Sequence, residues 1–380
     1  MERIYLDHAA TTPLANEVLE AMLQTNQDIM GNPSSTHFYG RKARSILDQT
    51  RAKVANHIQA HEKEIIFTSG GTEADNLAII GSARANSQKG RHIITTAGEH
   101  HAVLHTMEYL ETEGFDITYL SPNNEGYITP DQVKEALRED TILVSMMYVN
   151  NETGMIQDIQ AIAALLKEHQ AYFHTDAVQA FGIKKIDVDE LGIDLLSMSA
   201  HKINGPQGVG FLYCKQNVPL ENVQHGGEQE RKKRAGTENL LGIVGLEKAI
   251  ELAYETMDTK SKNLLNLKQT LLKTLKDSHI DFEVNGTIES TVPSIVNVSF
   301  PNTQVEQLLM NFDLEGVAVS SGSACTAGTQ EPSHVLVAMY GKDDARIYNS
   351  IRFSFGAFTT EEEVIEAGKR IAKIVKRLQK

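Results

Sequence analysis

Between about residues 64 and 214 the chain alternates short, almost continuously apolar runs with stretches of helical periodicity, and this alternation restricts the folds open to it more than any other feature. The runs are EIIFTSG, RHIITTA, FDITYLS, TILVSMMYV, AYFHTD, DLLSMSA and VGFLYC. Most are too apolar to leave one face in water, so they read as strands of a mostly parallel sheet with helices on both faces, an α/β architecture. The intervening segments supply the helices. TPDQVKEALRE opens with Thr129 as N-cap, Pro130 at the first helical position and Gln132 completing a capping box, and DIQAIAALLKEH carries another helical pattern.

After residue 215 the pattern changes. The polar stretch QHGGEQERKKR precedes a helical segment from about Asn239 to Tyr254, and a second long helix follows, with Leu264, Leu267, Leu271 and Leu275 at three- and four-residue steps on one face. SIVNVSFP and VAVSSG read as strands, and TTEEEVIEAGKRIAKIVKRLQK as a closing amphipathic helix with Thr360 as N-cap. A length of 380 residues suits two domains. We place a large domain at residues 13–258 and a smaller α+β domain at residues 1–12 and 259–380.

Fifty acidic residues against 36 basic ones give a formal charge of −14, which repels phosphate backbones and anionic lipid, so direct nucleic-acid binding is not expected. The two cysteines, Cys214 and Cys325, cannot build a disulfide framework, and neither CxxC nor zinc-finger spacing occurs. MERIYLDHAATTP has no apolar signal region, and the longest apolar stretch, around Ile142 to Val149, is too short to span a bilayer. No membrane association and a cytoplasmic location are the expectations.

Five stretches could carry chemistry. In SMSAHKINGPQGVGF, Lys202 sits in a loop after an apolar strand; position alone makes it a solvated loop residue, whereas Ser199, His201 and the glycine-rich turn could hold a phosphate beside a Schiff-base lysine. In HTDAVQ, Asp176 ends a buried strand, where a carboxylate either caps a helix or pairs with a protonated ring nitrogen of a ligand. TSGGTEADN places Gly71 and Thr72 at a turn into a helix, which is either a phosphate site or a plain N-cap made by Thr72. GEHHAVLHT brings His100, His101 and His105 close in sequence at no recognised metal spacing, so stacking on a flat cofactor is the more useful role and no metal is expected. Cys325 lies in SSGSACTAGTQEPS, about residues 320–333, whose small polar residues read as a mobile loop carrying a reactive thiol, whereas Cys214 belongs to a buried strand and reads as structural.

In order along the chain, YLDHAATTP, GNPSS, SGGTEADNLAI, EHHAVL, VNNETG, HTDAVQ, SAHK, RAGTEN, SSGSAC and IRFSFG resemble the cysteine desulfurases, which are pyridoxal 5'-phosphate enzymes of the class-V aminotransferase family and of fold type I. The resemblance covers almost the whole chain. It implies that Lys202 holds the cofactor as a Schiff base and moves the substrate proton, that Asp176 pairs with the pyridine nitrogen, and that Gln179 bonds the phenolic oxygen. It further implies that His100 stacks on the ring, that Asn151 contacts cofactor and substrate, and that Gly71, Thr72, Ser199 and His201 hold the phosphate. Thr237 is similar to a threonine given across a homodimer interface, and Arg352 to an arginine gripping the substrate carboxylate. By the same resemblance Cys325 attacks the sulfur of L-cysteine, leaving L-alanine and a persulfide for an acceptor protein, either an iron–sulfur scaffold or a tRNA thiouridylase; His100 is a candidate for the accompanying proton transfer. GGEQERKK departs from the pattern, with Glu228 where many relatives have a third glycine. The competing readings are a selenocysteine lyase or aminotransferase sharing Lys202 and Asp176, and a non-enzymatic sulfur or metal carrier.

Overall fold

The computed structural model describes residues 2–322 and 332–379. All seven apolar runs are strands of one sheet. They are β2 (Ile65–Thr68), β3 (His92–Thr96), β4 (Asp116–Leu120), β5 (Thr141–Ser145), β6 (Tyr172–Asp176), β7 (Leu195–Ser199) and β8 (Gly210–Cys214), following β1 (Ile4–Tyr5) in the chain. Their order across the sheet is β2-β8-β7-β6-β5-β3-β4. Pairs from β4 through β3, β5 and β6 to β7 are parallel, and β8 runs against both β7 and β2, so β2 points the same way as β7.

Strand side chains alternate between two packed layers, which is why the runs lack a polar face. Phe67, Ile94, Val144, Phe173, Leu196, Met198, Phe211 and Tyr213 enter one core cluster, and Ile66, Ile93, Leu143, Leu195, Leu212 and Cys214 enter another on the opposite side. The first layer is closed by α1 (Asn16–Asp28), α2 (Phe38–His57) and the long helix described below, the second by α3 (Gly71–Ala85) and α4 (His101–Thr112). The segment beginning TPDQ forms α5 (Pro130–Ala136) with the anticipated capping box: the Gln132 backbone N–H donates to Thr129 Oγ1 at 3.3 Å, and the Thr129 N–H to Gln132 Oε1 at 2.9 Å. α6 (Ile159–Leu166) follows, and α7 (Gln229–Lys232) is a single irregular turn. There Glu230 and Arg231 have φ of 45° and 55°, a left-handed backbone unfavourable for such residues. The buried Glu230 carboxylate compensates by accepting from both Arg51 terminal nitrogens, at 2.6 and 2.7 Å. Glu228, the departure noted from the sequence, has an ordinary φ of −89°.

The two helices expected on either side of residue 258 are one helix, α8 (Leu240–Asp277), of 38 residues. ETMDTKSKN, the stretch between the apolar patterns, is polar apart from Met257 yet contains neither Gly nor Pro, so nothing stops the helix. Its burial changes partner along its length: Leu240, Ile243, Leu246, Ala249 and Ile250 join the sheet's core, whereas Leu264, Leu267, Leu271 and Leu275 join a separate cluster. That second cluster is built on the antiparallel sheet β12-β10-β9, made by β9 (Glu283–Val284), β10 (Ile295–Ser299) and β12 (Ser350–Ser354). α9 (Val305–Leu314), α10 (His334–Tyr340) and α11 (Glu361–Leu378) complete the helices, and β11 (Val317–Ala318) pairs in parallel with β1. Thr360 caps α11 in a capping box with Glu363.

A break in α8 tests its continuity. Thr259 is exposed, so Thr259→Pro costs only what helix disruption costs, about 3 kcal/mol or more. Urea denaturation reads this; a change below about 0.5 kcal/mol is the result expected of a surface loop instead.

Candidate active site

Five parallel-pointing strands, β2, β3, β5, β6 and β7, deliver their carboxyl ends to one edge of the sheet, where open α/β sheets place ligands. Beyond β2 come Gly71 and Thr72, beyond β3 His100, and beyond β5 Met147 and Asn151; Asp176 and Gln179 end β6, and Ser199, His201 and Lys202 end β7. These residues, with Ala9, Ala10, Asp75, Val178, Gly322 and Arg352, line one cavity of about 360 Å³. Ten of the residues singled out from the sequence are thereby brought together from across the chain.

One end of the cavity is built to receive an anion. Helix α3 starts at Gly71 with Gly70 as N-cap and no side-chain cap, so the alternative in which Thr72 merely caps the helix is not realised. Uncapped N–H groups at a helix start favour a bound phosphate. Gly71 also has no room for a side chain: a Cβ there would lie 2.9 Å from Val178 Cγ2. Ser199 lines the same end, and His201 is oriented by a 3.1 Å contact from Nδ1 to Thr11 Oγ1. Burial pushes the His201 pKa down to about 4, with the Lys202 charge adding to the effect, so its ring is neutral near pH 7.

Across the cavity stand the groups that could hold an aromatic ring. Asp176 accepts the Val178 N–H at 2.9 Å, and burial raises its pKa to about 6. His100 is the N-cap of α4, its Nδ1 accepting the Ala102 N–H at 3.1 Å. Burial first, and Lys202 second, lower its pKa to about 4, leaving a neutral flat ring. His101 and His105 do not line the cavity; His101 packs against His334 with ring centroids 4.6 Å apart and against His105 at 5.1 Å.

The chain's first strand and the loop after it tie the site together. Lys202 Nζ donates to the carbonyls of Ala9 and Ala10 at 2.6 and 2.9 Å, and Gln179 Nε2 to Ala9 at 2.9 Å. Thr12 donates its hydroxyl to the His201 carbonyl at 2.7 Å. Arg352, on β12 and 2% exposed, donates to Asp7 Oδ1 at 2.8 Å and to the Asn151 carbonyl at 2.9 Å. Its Nε and the Asn151 Oδ1 are buried with no hydrogen-bond partner among the described residues. Such groups stay unpaired only at a cost, which a polar ligand in the cavity removes.

Pyridoxal phosphate fits this arrangement. The uncapped helix start offers N–H donors to a phosphate, Asp176 offers a buried carboxyl to a ring nitrogen, and the orphaned Asn151 oxygen is a polar group in want of a partner. Thr237, by contrast, is exposed and outside the cavity lining, and Cys325 lies outside the described residues. Both stems flanking it are anchored at the site's edge: Arg352 N donates to the Ser320 carbonyl at 2.7 Å, and the Ser333 hydroxyl donates to buried Glu152. Burial pushes the Cys214 thiol up to about 12, consistent with an inert strand residue.

Sequence reasoning missed Asp7, the Ala9 and Ala10 carbonyls, Asp75 and Glu152 as parts of the site. The run of small residues and threonines in DHAATTP was the available signal for the first three, since it allows backbone to approach closely; Asp75 looked like an ordinary acid near a helix start, and Glu152 like a loop residue.

A profile of the family described as Aminotransferase class-V matches residues 4–366. A protein of Bacillus subtilis (strain 168) is 58% identical over 378 residues, covering 100% of each chain. Cysteine desulfurase IscS of Dictyoglomus turgidum is 48% identical, covering 99% of this chain and 95% of that one, and its counterpart in Methanosarcina thermophila is 46% identical with 99% and 93% covered. Among solved structures, a NifS-like protein superposes with a TM-score of 0.92 at 36% identity, covering 99% of this chain and 100% of that chain. Another, described as SspA in complex with cysteine, gives 0.83 at 38% identity with 94% and 100% covered. The chain belongs to the class-V aminotransferase family, in its cysteine desulfurase branch.

Proposed function

We propose that the chain converts L-cysteine to L-alanine and carries the released sulfur as a persulfide on Cys325. The observation that carries this reading is the cavity itself, in which an anion-binding helix start, a buried carboxyl, Lys202 and the buried Arg352 face one volume. Bound pyridoxal phosphate supplies an electron sink for the bonds at the substrate α-carbon.

Each residue's part follows from its surroundings. Gly71, Thr72, Ser199 and His201 hold the phosphate, Asp176 the ring nitrogen, Gln179 the phenolic oxygen, and Asn151 contacts cofactor and substrate. His100, neutral with Nδ1 engaged as a helix cap, would stack on the cofactor ring, and Nε2 is left as its one atom for exchanging a proton. Lys202 holds the cofactor and moves the α-proton, and Arg352, pinned by Asp7 and the Asn151 carbonyl, presents a fixed planar fork to the substrate carboxylate. Cys325, as thiolate, attacks the substrate sulfur: an S–S bond forms, the C–S bond breaks, and its electron pair with a proton completes the methyl group of alanine. Cys325 follows three residues after Gly322, which lines the cavity.

The sulfur then passes to an acceptor protein, for iron–sulfur cluster assembly or tRNA thiolation; the charge of −14 supports a protein intermediary over RNA, and transfer of labelled sulfur to purified candidate acceptors decides between them. The change of core cluster along α8 supports a cofactor-holding domain at residues 13–258 and a smaller one at residues 1–12 and 259–380. Among the described residues no helix is long and apolar enough to cross a membrane, and we propose a cytoplasmic site of action. Leu19, Leu23, Phe38 and Tyr39 are exposed on α1 and α2, which supports a homodimer in which Thr237 completes the cavity of a second copy. Sedimentation velocity checks this: the dimer mass is expected, and a monomer at micromolar concentration contradicts it.

Two variants test the chemistry. Cys325→Ser is expected to keep the visible absorption of the bound cofactor and lose at least about a hundredfold in alanine formation from cysteine. Retained turnover would point to an aminotransferase-like reaction without the thiol. Arg352→Lys replaces a planar fork by a point charge and is expected to raise KM for cysteine roughly ten- to a hundredfold, the equivalent of about 1.5–3 kcal/mol, with the absorption unchanged. An unchanged KM removes Arg352 from substrate binding.

A further inference from the structure

The carboxyl group assigned to the cofactor's ring nitrogen does not stand alone. Ligand atoms of Asp75, His100 and Asp176 all lie within 4.8 Å of one another, and Asp75 and Asp176 are only 1% and 6% exposed. Two carboxylates so close and so deeply buried do not both ionise; the pair holds one proton between them. We propose that Asp75 is a positioning residue for Asp176: it carries the proton of the pair and so leaves Asp176 ionised towards the cavity. The proposal rests on the reading that Asp176 faces the ring nitrogen.

The surroundings decide which partner is neutral. Asp176 receives the Val178 N–H at 2.9 Å and feels the positive charge of Lys202, and both favour its anion. Asp75 faces Asp176 and Glu99, both acidic, and its Oδ1 has no hydrogen-bond partner among the described residues. It is the fifth residue of α3, beyond the turn in which the helix start would favour a negative charge. Burial and the neighbouring Asp176 accordingly drive its pKa well up. Burial raises the Glu99 pKa to about 8, so near pH 7 it is mostly neutral and Asp176 is the charged neighbour that Asp75 meets. His100 and His201, which share the cavity with Asp75, are neutral near pH 7.

The sheet register then accounts for the polar residues behind the pair. Ser145 stands opposite His174, and Ser197 opposite Asp176, all with their side chains on the α3 side of the sheet. Ser145 Oγ lies 2.8 Å from His174 Nδ1, and Ser197 Oγ lies 3.0 Å from His174 Nε2. Burial holds the His174 pKa down at about 3, so the ring is neutral and carries one N–H. The one N–H lies on either Nδ1, facing Ser145, or Nε2, facing Ser197, and the Ser197 side chain is also hydrogen-bonded to Asp75. Asp75 Oδ1 is 3.6 Å from His174 Nε2, too far for a hydrogen bond, and a neutral ring supplies no counter-charge. The Ser197 hydrogen bond by itself favours the Asp75 anion, but burial and the neighbouring Asp176 outweigh it, and the neutral His174 ring adds no counter-charge that would turn the balance.

Infrared difference spectra of the holoenzyme at pH 7, with Asp75→Asn and Asp176→Asn each compared with the parent, locate the proton. Asp75→Asn is expected to remove a protonated-carboxyl C=O band and Asp176→Asn to remove carboxylate bands, while Glu99→Gln identifies the separate band of Glu99. Loss of carboxylate bands in Asp75→Asn overturns the proposal. With pyridoxal phosphate labelled with nitrogen-15 in the ring, Asp75→Asn is expected to keep the ring nitrogen protonated and the cofactor dissociation constant within about threefold of the parent, because the amide reproduces a neutral carboxyl's shape; Asp75→Ala, without that hydrogen-bonding group, is expected to weaken it by more than about tenfold. A deprotonated ring nitrogen in Asp75→Asn also overturns it. If Asp176→Asn leaves the ring nitrogen protonated, the reading of Asp176 fails, while the carboxyl bands still report independently where the proton sits. Should Asp75→Asn not fold, Ser197→Ala gives the second measurement: it is expected to shift the neutral C=O band, and a shift confined to the carboxylate bands contradicts the proposal.

Discussion

Covering the seven-stranded sheet on both faces is the constraint from which the site follows. Once helices fill both layers, polar strand residues need partners inside the protein or a ligand, and the edge where five strands end together is where a ligand can reach them. The sheet's interior accepts Phe, Leu, Ile and Met on alternate sides, and its carboxyl edge collects Asp176, Ser199 and the residues just beyond them. Position in the sheet thus explains why chemistry-bearing groups from five separate stretches meet in one cavity.

The second organising element is the segment from Asp7 to Thr12. Its carbonyls receive Lys202 and Gln179, its threonines hold the loop at His201, and Asp7 pairs with Arg352 from the smaller antiparallel sheet. One short piece of chain therefore fixes the lysine from the large sheet relative to the arginine from the small one. Small side chains at Ala9 and Ala10 are what let their carbonyls come within 2.6 and 2.9 Å of the Lys202 nitrogen. The electrostatic result is a cavity whose histidines are neutral and whose cations are held by carbonyls and carboxyls, with room for an anionic cofactor and an amino-acid carboxylate.

Local signals were legible in the sequence because they depend on a few neighbouring residues. The apolar runs gave all seven strands, Thr129-Pro130 with Gln132 gave a helix start, and ten cavity residues followed from motifs and family resemblance. What escaped depends on contacts distant in sequence. Asp75 differs from an ordinary acid near a helix start only because Asp176, about a hundred residues later, lies beside it. Glu152 gains meaning only when Ser333 docks on it. The continuity of α8 was hidden for a different reason: its middle has Met257 as its one apolar residue, which removes the periodicity by which a helix is recognised without removing the helix.

The central claim is that this cavity holds pyridoxal phosphate on Lys202. Reducing the purified, cofactor-loaded protein with borohydride and mapping the modified peptide by mass spectrometry tests it most directly. The account predicts a single pyridoxyl adduct on Lys202 in the peptide containing SAHK, with loss of the visible absorption. An adduct on another lysine, or no adduct on a protein that had shown the cofactor's absorption, contradicts it.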